Sequence, residues 1–179
     1  MYANALLSLL GGMIIGAAAL DACASSLYQG TITTRNTGAG KVCFSVDNYR
    51  SANTSIAIPS KGLVLTSITV YSETANGAQA IWKINAASRN EVELYKVKSG
   101  ECLIYGEVIA GKYTVSQAPK PLPASTPLEV VATFWYPAEF NNILSMGGKF
   151  CSMANEIIEV SEDGNCPSQS APKEKAKSL

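Results

Sequence analysis

Lys41-Val42-Cys43-Phe44-Ser45-Val46-Asp47 alternates apolar side chains with small or polar ones every second residue. Val42, Phe44 and Val46 share one face, and Cys43 and Ser45 share the other. Successive side chains of a strand point to opposite faces, so this pattern reads as a half-buried β-strand. Just upstream, Asn36-Thr37-Gly38-Ala39-Gly40 has turn composition, and residues 31–35 are rich in Thr and Ile, as strands are. One short strand, a turn and a second strand therefore open the folded part of the chain.

Working outward, the same grammar continues. Residues 48–62 read as a loop with a short strand at 55–58. Residues 63–73 form the strongest strand, with Val64, Ile68 and Val70 on one face and Leu65 and Tyr71 on the other, a pattern of burial on both sides. Asn76-Gly77 is a hairpin turn, and residues 79–85, with Trp82, are the returning strand. Shorter strands are expected at 91–97, 101–105 and 111–116. Pro119, Pro121, Pro123 and Pro127 mark a stiff exposed connection, because proline cannot donate to a ladder. Residues 128–136 return to strand. Residues 137–148 carry helical potential that Gly147-Gly148 would end, and residues 149–153 and 156–161 suit a final hairpin.

Seven to nine short strands without a sustained 3.6-residue period predict a mainly β domain at residues 30–161. The architecture expected is an antiparallel, immunoglobulin-like β-sandwich, with a small barrel as the competing form. Residues 162–179 are polar, charged near the end, and expected to be disordered.

The N-terminus points to export. Residues 5–20 (ALLSLLGGMIIGAAAL) carry no charge and have about the length of a signal-peptide core. Leu20-Asp21-Ala22-Cys23 follows and resembles a bacterial lipobox, whose cysteine is lipidated after cleavage. Asp21 and the lack of Lys or Arg ahead of the apolar run depart from that pattern. Cleavage at an Ala22-Cys23-Ala24 site and an uncleaved anchor are the competing readings. The expected organisation is a signal peptide over residues 1–22, lipid attachment at Cys23 and a tether over 23–29. Ala24 and Ser25, with no Asp in the second mature position, point to the outer membrane.

The chain has 179 residues, 47% hydrophobic, 16% charged, with no net charge and no histidine. Absence of histidine excludes Ser-His-Asp and Cys-His catalysis and histidine-bound zinc. No Lys/Arg stripe suggests nucleic acid. Thr37-Gly38-Ala39-Gly40-Lys41 lacks the first glycine and the Ser/Thr of a phosphate loop and precedes a strand, so it is a turn. Glu91, Glu93, Glu101 and Glu107 are scattered and read as solvated surface; no Ser-x-x-Lys motif appears. No catalysis, cofactor, metal or small-molecule substrate is expected. Phe134-Trp135-Tyr136 places large aromatics on both faces of one strand, and exposed aromatics are frequent interface anchors. Trp135 and Tyr136, with the 118–127 segment, are the candidate partner-binding residues.

Five cysteines are present: Cys23, Cys43, Cys102, Cys151 and Cys166. With Cys23 lipidated or removed, four remain, an even number suited to an oxidising compartment. None has C-x-x-C spacing. Three connectivities are open, as is a free Cys166 in a mobile tail.

Several phrases, in order, resemble a family of small bacterial lipoproteins described as type VI secretion immunity proteins of the periplasm. They are Lys41 to Asn48 (KVCFSVDN), Leu65 to Tyr71 (LTSITVY), Ile81 to Ile84 (IWKI), Ser99 to Gly106 (SGECLIYG) and Ala110 to Val115 (AGKYTV). The resemblance implies a β-rich domain with Cys43 bonded to Cys102. It also implies a protein partner, a toxin delivered to the periplasm, with the membrane contacted only through the N-terminal lipid. Cys151 and Cys166 lie outside it. They are expected to pair with each other, and a loop of about 15 residues closed in this way contributes ~3 kcal/mol in the chain-entropy model. An assembly lipoprotein of a secretion system or surface appendage is the alternative function.

Overall fold

Strands dominate the computed structural model, which describes residues 29–37, 41–51, 54–87, 94–109, 111–135, 143–153, 156–160 and 163–167. Among the described residues there are eleven strands and no helix: β1 (Gly30–Asn36), β2 (Val42–Ser51), β3 (Thr54–Ala57), β4 (Leu63–Thr74), β5 (Gly77–Ala86), β6 (Lys96–Val97), β7 (Leu103–Ile104), β8 (Tyr113–Gln117), β9 (Pro127–Trp135), β10 (Ile143–Met153) and β11 (Glu156–Glu159). The mainly β class expected from the sequence is therefore found.

The strands belong to one hydrogen-bonded sheet in the order β3-β2-β1-β10-β9-β4-β5-β8, with β11, β6 and β7 as side branches. The strand pairs are antiparallel except β1 with β10, which run parallel and meet at Gly30–Met146 and Thr31–Gly147. Period-two alternation decides which residues of each strand turn inward. In β9, Leu128, Val130, Ala132 and Phe134 are buried, while the residues between them are half-buried. The β4–β5 hairpin turns at Asn76-Gly77 as expected, with Gly77 at a φ of +101° that a side-chain-bearing residue rarely adopts.

The sheet is folded over on itself. The Phe44 ring of β2 and the Trp82 ring of β5 have centroids 6.5 Å apart, though five strand spacings separate them along the sheet. Laid flat, that separation would be ~24 Å at the usual spacing between strands. Phe150 of β10 packs on the same Phe44 ring at 5.7 Å. Two layers thus face each other across a core of Phe44, Trp82, Phe134, Phe150, Leu65 and Ile68. An immunoglobulin-like sandwich is compatible with this layering, but here the layers are parts of one continuous sheet.

Close approach at the β1–β10 seam depends on glycine. A Cβ on Gly148 would lie 2.3 Å from the Ile32 carbonyl oxygen of β1. This also explains why the helical expectation for residues 137–148 fails over its described part. Residues 143–148 are the first half of β10, in continuous register with β9 from Ile143–Trp135 to Lys149–Glu129. The Gly147-Gly148 pair does not stop a helix but lets a neighbouring strand come close. Residues 137–142 lie outside the described residues.

Other expectations shift in length. The 91–97 strand is reduced to β6 within its described part, 101–105 to β7, and the final hairpin is the β10–β11 pair. β2 was expected to be half-buried, yet residues 42–46 are buried on both faces, Cys43 at 0% exposure and Ser45 at 3%. The proline connection is largely exposed, with Leu122 packed on the core and Ala124 bridging Ser152 of β10. The start of the polar tail, residues 163–167, forms a turn, and Cys166 within it is bonded to Cys151 of β10. Residues 1–28, Cys23 among them, and 168–179 lie outside the described residues.

Candidate functional site

The segment from Leu94 to Ile109 is laced along β2. Leu103 and Ile104 pair with Phe44 and Cys43. Gly100 N–H donates to the Val46 carbonyl at 3.0 Å, Tyr105 N–H donates to the Val42 carbonyl at 2.9 Å, and Arg35 Nη2 donates to the Gly100 carbonyl at 3.1 Å. The Cys43–Cys102 disulfide crosses the same junction, with its Cα atoms 5.3 Å apart. At its other end the segment joins β4, through β6 and through Leu65 N–H donating to the Tyr95 carbonyl at 3.0 Å. This irregular stretch thus joins β2 to β4.

Three tyrosines knit this stretch to its surroundings. Tyr113 of β8 is buried; its hydroxyl donates to the Leu65 carbonyl at 2.7 Å and accepts from Tyr95 N–H at 3.3 Å. Burial pushes its phenol up to about 12, with the Tyr95 N–H opposing. Tyr95 donates its hydroxyl to Glu101, and this bond, then burial, raises its phenol to about 12 as well. Tyr105 sets its ring edge against Trp82 at 5.2 Å and donates its hydroxyl to the Lys120 carbonyl at 2.8 Å, fixing the proline connection; burial raises its phenol to about 12.

Between this stretch and β5 lies a cleft of about 170 Å³. Trp82, Tyr95, Leu103, Ile104, Val108 and Ile109 give it an apolar lining, with Cys102 and Glu107 beside them. Trp82 is 1% exposed, and its Nε1–H has no hydrogen-bond partner among the described residues. A buried donor left without an acceptor costs ~1–3 kcal/mol, so this one needs a reason. Val108 is 40% exposed, which leaves an apolar residue of the lining open to solvent.

The carboxylates here serve as local anchors. Glu107 is ion-paired with Lys41 at 2.5 Å at the surface, and Glu101 accepts from Tyr95 and from Lys98 N–H. Asp47 accepts from the Ser99 hydroxyl at 3.3 Å. Among the described residues no cluster of three potential metal ligands occurs, and no helix is long and apolar enough to cross a membrane.

No family model, curated protein or solved structure matches this chain. The site is therefore read from its own residues.

All four cysteines of the folded domain are bonded, Cys43 with Cys102 and Cys151 with Cys166. Trp135 stands half-buried at the end of β9, packed against the core, beside Ile143, which is 65% exposed. Tyr136 lies outside the described residues. The cleft, lined by Trp82 and by residues 95–109, was not among the residues the sequence singled out. The signal for it was faint: Trp82 as the one aromatic residue of its strand, and two glycines, Gly100 and Gly106, bracketing a short, mostly apolar run.

Proposed function

We propose that this chain is an exported, lipid-anchored periplasmic protein that binds and neutralises a cognate toxic effector without chemistry of its own. The observation that carries the reading is the pairing of Cys43 with Cys102 and Cys151 with Cys166. Structural disulfides persist in oxidising compartments, and this pairing leaves Cys23, beside the apolar N-terminal run, as the one cysteine for lipid attachment. Lipid plus a short tether would hold the domain at the outer membrane, free to meet a partner. The resemblance of residues 41–115 to periplasmic immunity lipoproteins supplies the class of partner. The cleft of about 170 Å³ favours the same direction, because small-molecule sites are usually ~300–1,000 Å³.

Co-expression tests it. The product of the adjacent gene is directed to the periplasm with and without this protein, and survival and co-purification are scored. Rescue by a stable complex is expected. A harmless neighbour and no complex would refute immunity to that partner and bring forward an assembly lipoprotein.

A further inference from the structure

We infer that the row Lys96–Val64–Trp135–Ile143, at the end of the sheet where the chain enters the domain, lies against the surface of a bilayer containing anionic lipid. This rests on the anchoring at Cys23 proposed above and gives the anchored domain an orientation.

Register builds the row. Lys96 of β6 stands opposite Val64 of β4, Val64 opposite Trp135 of β9, and Trp135 opposite Ile143 of β10. Directly paired residues share a sheet face, so the four side chains line up on one face. Val64 is fully buried, Trp135 half-buried and Ile143 65% exposed, an apolar residue left in water at the end of the sheet. Topology places the tether beside it. β1 runs parallel to β10 with Gly30 level with Met146, and Gln29 N–H donates to the Ser145 carbonyl at 2.7 Å. Gln29 is therefore level with a residue two positions from Ile143, about 7 Å along the strand. Because β1 leads away from that end, the chain enters the domain there. Six residues separate Gln29 from Cys23, ~20 Å at full extension, so a lipid on Cys23 keeps this end of the domain close to the bilayer. Charge agrees with that placement. Arg50 N–H donates to the Gln29 carbonyl, Lys96 is in the row itself, and Lys61 stands two residues before β4; all three side chains are exposed. Exposed Glu73 of β4 and Glu156 of β11 lie at the opposite end. Cations facing anionic headgroups and a tryptophan between water and hydrocarbon suit a bilayer surface.

Trp135 is its own reporter, because Trp82, the other tryptophan, is 1% exposed and out of reach of lipid. The full chain, purified from membranes with its lipid, is reconstituted into vesicles of phosphatidylcholine and phosphatidylglycerol whose brominated acyl chains quench an indole they touch. Expected is quenching of the wild type and its loss in Trp135→Phe. Ile143→Asp, at an exposed position, should reduce the quenching at an unchanged melting temperature, because a carboxylate resists leaving water. Vesicles of phosphatidylcholine alone should quench less, since each Lys or Arg near an anionic surface strengthens binding about fivefold. If the chain floats with the vesicles but wild type and Trp135→Phe are quenched alike, the inference is overturned while anchoring stands. A chain that carries no lipid and does not float removes both. Trp135 emission that ignores lipid but shifts when the co-purified effector is added also overturns the inference and gives the row to the protein partner.

Discussion

Gly148→Ala probes the parallel seam between β1 and β10. The added carbon would stand 2.3 Å from the Ile32 carbonyl oxygen, 3.2 Å from its carbonyl carbon and 3.3 Å from its Cβ. Ordinary contact begins about 1 Å further out, and the obstacle is main chain, which cannot rotate away as a side chain can. β1 must therefore shift as a unit, although it meets β10 at only two registered positions, Gly30–Met146 and Thr31–Gly147. Overpacking of this kind costs ~1–3 kcal/mol, and partial withdrawal of buried Ile32 adds ~1 kcal/mol. An overall loss of roughly 3 kcal/mol is expected, which lowers the melting temperature by roughly 10 °C in a domain of this size. Urea unfolding with disulfides intact, followed by tryptophan fluorescence, measures it, with exposed Lys149→Ala as the control. If Gly148→Ala stays within about 0.5 kcal/mol of wild type, like an ordinary surface change, the β1–β10 seam is not held at close main-chain approach.

Other outcomes follow from the same structure. Tyr113→Phe should cost ~1–3 kcal/mol in urea unfolding, because the Leu65 carbonyl and the Tyr95 N–H both lose their partner. The native Tyr113 phenol stands at about 12 against an ordinary 10.0, so the unfolded chain ionises first; stability is fully present below pH ~10 and declines from there toward pH ~12. Tyr113→Phe should flatten part of that decline, and an unchanged alkaline limb would rule out burial as its cause. Cys166→Ala should remove ~3 kcal/mol, since it opens a 15-residue loop, and should expose residues 163–167 to protease while β10 stays protected. Cys23→Ser should abolish labelling with radioactive palmitate and release the domain from membranes; persistent labelling would exclude Cys23 as the lipid site.

Much of this protein was legible in its sequence, because strands write their faces into alternation. The 42–46 and 63–70 stretches announced strands, Asn76-Gly77 announced its hairpin, and the missing histidines narrowed the chemistry without any structure. Cysteine number and placement, with the uncharged N-terminal run, directed attention to an oxidising compartment. Alternation, however, tells which way a side chain points and not which strand lies alongside. It could not show that β1 runs parallel to β10, that one sheet supplies both layers, or that Gly147-Gly148 belongs to a strand seam rather than a helix end. The cleft was hidden for the same reason. Trp82 and the 95–109 stretch meet only because the fold brings β5 over β2, and an indole N–H has or lacks a partner only once its neighbours are in place. Local chemistry fixed the elements and their inward faces, and long-range packing, which no short stretch encodes, decided which of them would make a site.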